Sequence, residues 1–155
     1  MKTTIAFLPL LPFALATVDP ENMSLKDANC DEISLDDQYT LQATCPNPYG
    51  YNPPEWRVEL SLNQCFANYL GTLNYVPHGN FGQSCSDCHL DNYILTCQCG
   101  IGEGKGTKEA TYNLNDSGTI KLMAETWNFT MECHGLYDFT NQKRTDAKEA
   151  RLFVA

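Results

Sequence analysis

Eight cysteines in 155 residues constrain this chain more than any other feature: Cys30, Cys45, Cys65, Cys85, Cys88, Cys97, Cys99 and Cys133. What they can do depends on the compartment the chain reaches. The first sixteen residues bear on that. Lys2 gives a positive start, Ile5 to Leu15 is apolar, and Ala14-Leu15-Ala16 is a small-x-small cleavage signal. The apolar run is too short to span a bilayer and contains Pro9 and Pro12. Residues 1–16 are therefore expected to be a signal peptide, and the protein to be secreted and extracellular. The short apolar end Leu152-Phe153-Val154-Ala155 does not read as a lipid-anchor signal.

An even set of cysteines in an oxidising compartment reads as disulfides. Two other readings compete. Cys85-Ser86-Asp87-Cys88-His89 spells the C-x-x-C-H of haem attachment, and Cys97 and Cys99 would complete four thiolates. Haem needs an axial partner, for which only His78 and His134 remain. Zinc needs reduced thiols, and Cys97-x-Cys99 is tighter than the usual ligand spacing. Neither metal nor cofactor is expected. Eight cysteines can pair in on the order of a hundred ways, so the residues alone leave the connectivity open.

The composition excludes some partners and permits a core. The chain is 43% hydrophobic, enough for one packed domain. Its formal charge of −9 opposes binding to nucleic acid or to an anionic membrane, which demands a dense Lys/Arg surface.

An internal repeat organises the rest. Leu41 to Cys45 recurs as Leu95 to Cys99, Cys30 recurs as Cys85, and Leu62-Asn63 recurs as Leu114-Asn115. Gly71-Thr72-Leu73 returns as Gly118-Thr119-Ile120 at a shorter interval. Two copies of about 50 residues are too few for a solenoid and imply a pseudo-symmetric pair. Within each copy the apolar period is two. Ile33, Leu35, Tyr39, Leu41, Ala43 and Cys45 share one parity, as do Trp56, Val58, Leu60 and Leu62. Tyr93, Leu95, Cys97 and Cys99 alternate, then Ala110, Tyr112 and Leu114, then Trp127, Phe129, Met131 and Cys133. Such alternation predicts half-buried strands, hence an all-β fold, with breaks at Asp36-Asp37, Asn47-Pro48 and Gly100 to Gly106. Only Leu62 to Leu70 is expected to turn helically, and only briefly.

These residues carry a resemblance. Cys30, Leu41-x-Ala43-x-Cys45, Leu62-Asn63-x-Cys65-x-x-Asn68-x-x-Gly71-x-Leu73, Asn80-Phe81-x-x-Ser84-Cys85 and Leu95-x-x-x-Cys99 together resemble the cyanovirin-N homology domain. The resemblance runs from Cys30 to Cys133 and weakens after Leu114-Asn115. It implies a lectin of two repeats, about 30–79 and 80–137, each a triple-stranded sheet plus a β-hairpin, with strands exchanged between halves. Residues 17–29 become a lead-in and 138–155 a C-terminal tail. The resemblance also implies the bridges Cys30–Cys45 and Cys85–Cys99. Closure of the second hairpin then sets Cys88 beside Cys97 and leaves Cys65 for Cys133.

The resemblance implies sugar sites at the two far ends. One falls on Ala67, Asn68, Leu70, Asn80, Gln83 and Ser84, of which Asn68, Asn80, Gln83 and Ser84 carry groups able to bond hydroxyls. Ala67 and Leu70 stand where the family's strong binder has acidic residues. The other site falls on Asn29, Asn47 and Tyr49, where Pro46 and Pro48 remove backbone donors. Each of these asparagines has a competing role in turn chemistry.

The expected partners are glycans or glycoproteins, with mannose-type oligosaccharides as ligands. An interaction protein that has lost sugar binding is the alternative. A small hydrolase is a third reading, with His78, His89 and His134 the only imidazoles, but no G-x-S-x-G or H-E-x-x-H motif occurs and no enzyme activity is expected. Pro77 in the linker Tyr75 to Asn80 allows a domain-swapped dimer beside the monomer. Asn22, Asn115 and Asn128 head glycosylation sequons.

Overall fold

The computed structural model describes residues 23–137, apart from 48, 51, 117, 126 and 127. The expected signal peptide, the sequon at Asn22 and the tail 138–155 lie outside the described residues.

The chain is all-β, as the alternation predicts. The first copy holds β1 (Asp31–Leu35), β2 (Thr40–Pro46), β3 (Glu55–Ser61), β4 (Phe66–Asn68) and β5 (Leu73–Tyr75). The second holds β6 (Cys85–Asp91), β7 (Ile94–Gly100), β8 (Thr107–Asn113), β9 (Lys121–Glu125), β10 (Asn128–Cys133) and β11 (Leu136–Tyr137). Antiparallel sheets β1-β2-β3 and β6-β7-β8 are the two triple-stranded units. β4 pairs with β5, and β9, β10 and β11 form a third three-stranded sheet.

The copies repeat in detail. Leu62 donates its N–H to Tyr39 O at 2.9 Å, and Leu114 to Tyr93 O at 2.8 Å. In each copy one residue in left-handed conformation, Glu32 or Asp87, sits where the first strand's register shifts against the second, marking a β-bulge. The bulge leaves Ile33 facing the Ala43 region in the first copy and Cys88 facing Cys97 in the second.

The brief helical turn expected within Leu62 to Leu70 is present at the start of that stretch. A 3-10 turn covers only Leu62–Gln64, and Phe66–Asn68 is a strand. Cys65 and Phe66 are buried, and Phe66 pairs with Tyr75 in a hairpin, so tertiary packing overrides the local pattern. The shorter recurrence of Gly71-Thr72-Leu73 is not structural. Gly71 lies in the β4–β5 turn, whereas Gly118 precedes β9.

Hairpins are exchanged between copies: β10 packs against β3, and β5 against β8. One core results. Phe66 lies at its centre against Tyr75, Phe81 and Tyr112, with ring centroids 4.8 to 6.3 Å apart. Leu41, Leu60, Leu62, Leu95, Leu122 and Met131 are fully buried around it. Four disulfides staple it: Cys30–Cys45, Cys85–Cys99, Cys88–Cys97 and Cys65–Cys133. These are the pairs implied at the outset, and they account for all eight thiols.

Candidate functional site

The β4–β5 hairpin closes through a two-residue loop, Leu70-Gly71. Tyr69 and Thr72 exchange both backbone hydrogen bonds, 2.9 and 3.2 Å, and φ is +52° at Leu70 and +84° at Gly71. That is a type I′ turn, whose twist suits a hairpin. The turn reaches across to the loop joining β7 and β8. A Cβ on Gly71 would lie 2.7 Å from the Ile101 side chain, and one on Gly102 would lie 2.9 Å from Leu70 Cδ2. Glycine at both positions is what permits this approach.

Between turn and loop lies an open cavity of about 550 Å³. Asn68, Leu70 and Ser84 line it, facing Gly100, Gly102, Glu103, Gly104, Gly106 and Thr107 of the loop. Ser84 precedes the Cys85–Cys99 bridge and Gly100 follows it, so the disulfide fixes two walls at once. Gly100 donates its N–H to Ser84 O at 2.7 Å.

Asn68 holds this corner together. Its amide nitrogen donates to Ser84 Oγ at 3.0 Å and Gly100 O at 2.9 Å, while its Oδ1 accepts the Gly71 N–H at 2.8 Å. The structure thus brings Asn68 and Ser84 together, with their polar groups engaged in the scaffold. Asn80 and Gln83 sit on the neighbouring 3-10 turn Phe81–Gln83, exposed and outside the residues that line the cavity. Ala67 is buried beneath Gly79 and faces away from solvent. The groups left to a ligand are the Thr107 hydroxyl, the Glu103 carboxylate, the Leu70 side chain and bare glycine backbone. Glu103 is ion-paired to Lys105 at 2.7 Å. The resemblance sets Gly100 to Gly104 where the family has basic and amide contacts to the sugar, but it does not single out Glu103 or Thr107; the density of glycine beside the Cys99 bridge was the available signal.

At the opposite end Asn29 and Asn47 flank the Cys30–Cys45 bridge, whose Cα atoms are 4.1 Å apart. Asn29 is exposed in left-handed conformation, its N–H bonded to Lys26 O at 3.0 Å. Asn47 closes its own loop: its amide donates to Pro53 O at 3.0 Å and its Oδ1 accepts the Tyr49 N–H at 2.9 Å. Tyr49 presents an exposed ring. Turn chemistry therefore accounts for Asn47. Of the sequon residues, Asn115 lies on the turn after β8 and Asn128 begins β10.

Two triple-stranded sheets with exchanged hairpins, stapled by four bridges and ending in an open cavity, define a disulfide-stabilised carbohydrate-binding lectin fold. The chain belongs to the CVNH domain family, whose model matches residues 27–121. That match ends where β9 begins, in the region where the sequence resemblance weakens. No curated protein matches the chain. Among solved structures it is similar to a designed cyanovirin-N homolog lectin, with TM-score 0.56 and 21% identity over 72% of this chain and 100% of the other. The CVNH protein of T. borchii gives TM-score 0.51 and 29% identity over 60% and 88%. Microvirin, solved as a mannobiose complex, gives TM-score 0.51 and 24% identity over 71% and 97%.

Proposed function

We propose that this protein is a secreted lectin, without enzymatic activity, that takes mannose-type or related oligosaccharides in the cavity between the β4–β5 turn and the β7–β8 loop. The observation that carries this reading is that cavity's composition. A hydroxyl, a carboxylate and exposed backbone from a glycine-rich loop converge at one end of a rigid scaffold, as a shallow polyol site requires. The mannobiose bound in the microvirin structure supports the ligand class. Family membership supports binding over catalysis.

A glycan array probed with the full-length secreted protein tests the reading. The expected result is signal on mannose-containing oligosaccharides that falls when Glu103→Ala and Thr107→Ala are combined. N-terminal sequencing of secreted material is expected to begin at Thr17. One observation favours a second reading. Asn68 and Ser84 are bonded to each other and to the scaffold, which suits an interaction protein that has given up its sugar contacts. Silence across the array would select that reading.

A further inference from the structure

Leu70 is out of place by two structural criteria. It occupies the first position of a type I′ turn at φ +52°, where asparagine, aspartate or glycine is the ordinary choice and a leucine is an outlier. It is also 72% exposed, the most exposed of the large apolar residues among the described residues. A side chain that strains the backbone and sits in water contributes little to folding. Such outliers gather at ligand-contacting positions. Leu70 does line the cavity, with Cδ2 set over Gly102. Opposite it the loop offers Gly102, Gly104 and Gly106, where no side chain stands between a ligand and the main chain.

We infer that Leu70 is the specificity-determining residue of this site and forms an apolar subsite for a methyl group carried by the saccharide, on an acetamido or a 6-deoxy substituent. The inference rests on the lectin reading above and moves its ligand from plain mannose to a related, methyl-bearing saccharide. The hydroxyls of a sugar are met by Thr107, Glu103 and backbone groups, which do not discriminate between plain and methyl-bearing sugars. The leucine does, because a methyl group set against its exposed side chain, beside the bare backbone of Gly104 and Gly106, leaves water.

The test uses calorimetric titration of the full-length protein with mannobiose, chitobiose and an L-fucose-terminated oligosaccharide, on the wild type and on Leu70→Asn. Asparagine suits the left-handed turn, so the variant is expected to melt no lower than the wild type. The wild type is expected to bind at least one methyl-bearing probe more tightly than mannobiose. Leu70→Asn is expected to lose that preference by about fourfold or more, the value of one buried methyl-sized group. Equal affinity for all three probes, or a preference that survives the substitution, overturns the inference while the lectin reading stands. A lower melting temperature for Leu70→Asn also overturns it, because Leu70 would then be a packing residue. Binding of none of the probes, together with a silent array, removes both readings.

Discussion

Cys65 and Cys133 are bonded across 68 residues of sequence, with Cα atoms 5.7 Å apart, and tie the base of the β4–β5 hairpin to the end of β10. The linker between the copies lies inside that loop. It is strapped to the first copy by Val76, His78 and Asn80, whose N–H groups donate to Cys65, Gln64 and Asn63 carbonyls at 2.7 to 3.0 Å.

If chains exchange halves through this linker, every contact between copies becomes intermolecular, and Cys133 meets the Cys65 of another chain. A swapped dimer is therefore expected to be covalent. It should run as a dimer on a denaturing gel without reductant and as a monomer with it. A swapped dimer that separates without reductant would contradict the topology.

The four bridges are expected to differ in value. Chain entropy gives about 4 kcal/mol for a loop as long as that of Cys65–Cys133 and about 2.5 kcal/mol for the short Cys88–Cys97 loop. The equivalent place in the first copy is held by Ile33 and Ala43 without sulfur. Urea denaturation should find Cys88→Ile with Cys97→Ala folded and modestly destabilised. Cys65→Ala with Cys133→Ala should lose clearly more.

Asn68→Ala removes a donor and an acceptor group that serve Ser84, Gly100 and Gly71. The expected loss is about 2 kcal/mol, in the range for polar groups left without partners. Denaturant titration measures it. Because the bonds join turn to loop, exchange of the Gly71 amide should accelerate with it.

Gly79 and Gly104 separate two reasons for glycine. A Cβ on Gly79 would meet Phe66 O at 2.3 Å and Ala67 N at 2.4 Å, both of them backbone atoms that cannot yield. Gly104 has nothing within 4 Å but stands at φ +68°. Gly79→Ala is expected to cost about 3 kcal/mol or prevent folding, and Gly104→Ala about 1 kcal/mol. Melting temperatures of the two variants decide it.

Among the described residues, Tyr75 is the titratable group whose environment builds in a pH dependence. Its hydroxyl donates to Thr119 O at 2.7 Å and accepts the His134 N–H at 3.1 Å, and its ring stacks on His134 at 3.6 Å. Burial raises its pKa above the tyrosine norm, the His134 N–H opposes this, and Glu132 and Tyr112 add to the rise. The folded pKa is the higher, so the contribution is complete below about pH 10 and is lost as pH rises through the folded value. Tyr75→Phe should flatten the alkaline fall in stability, and ultraviolet titration should show one tyrosinate fewer forming late.

The strands of the two large sheets were legible because one face of each is buried. Leu41, Ala43 and Cys45 in β2, and Leu95, Cys97 and Cys99 in β7, alternate without interruption and are all buried. The β4–β5 hairpin was implied by the resemblance alone and not legible in its own residues. Its strands have three residues each, and its turn is made by a leucine in a conformation that leucine does not advertise. The bulges at Glu32 and Asp87 were hidden for a similar reason, since neither residue signals a left-handed backbone. At the candidate site, residue type identified Asn68 and Ser84 as polar. It could not show that they bond each other, nor that a loop about 30 residues further on would supply the groups that face the cavity.

The exchange of hairpins has a consequence for any attempt to dissect the molecule. The β1-β2-β3 sheet is covered by a ribbon encoded in the distal half of the chain, and the β4–β5 turn completes a recess built otherwise from that same half. Gene fragments cut at the linker would each expose an unroofed apolar face. The repeat that is visible in the primary structure therefore does not mark a folding unit, and the smallest autonomous unit is the interleaved whole.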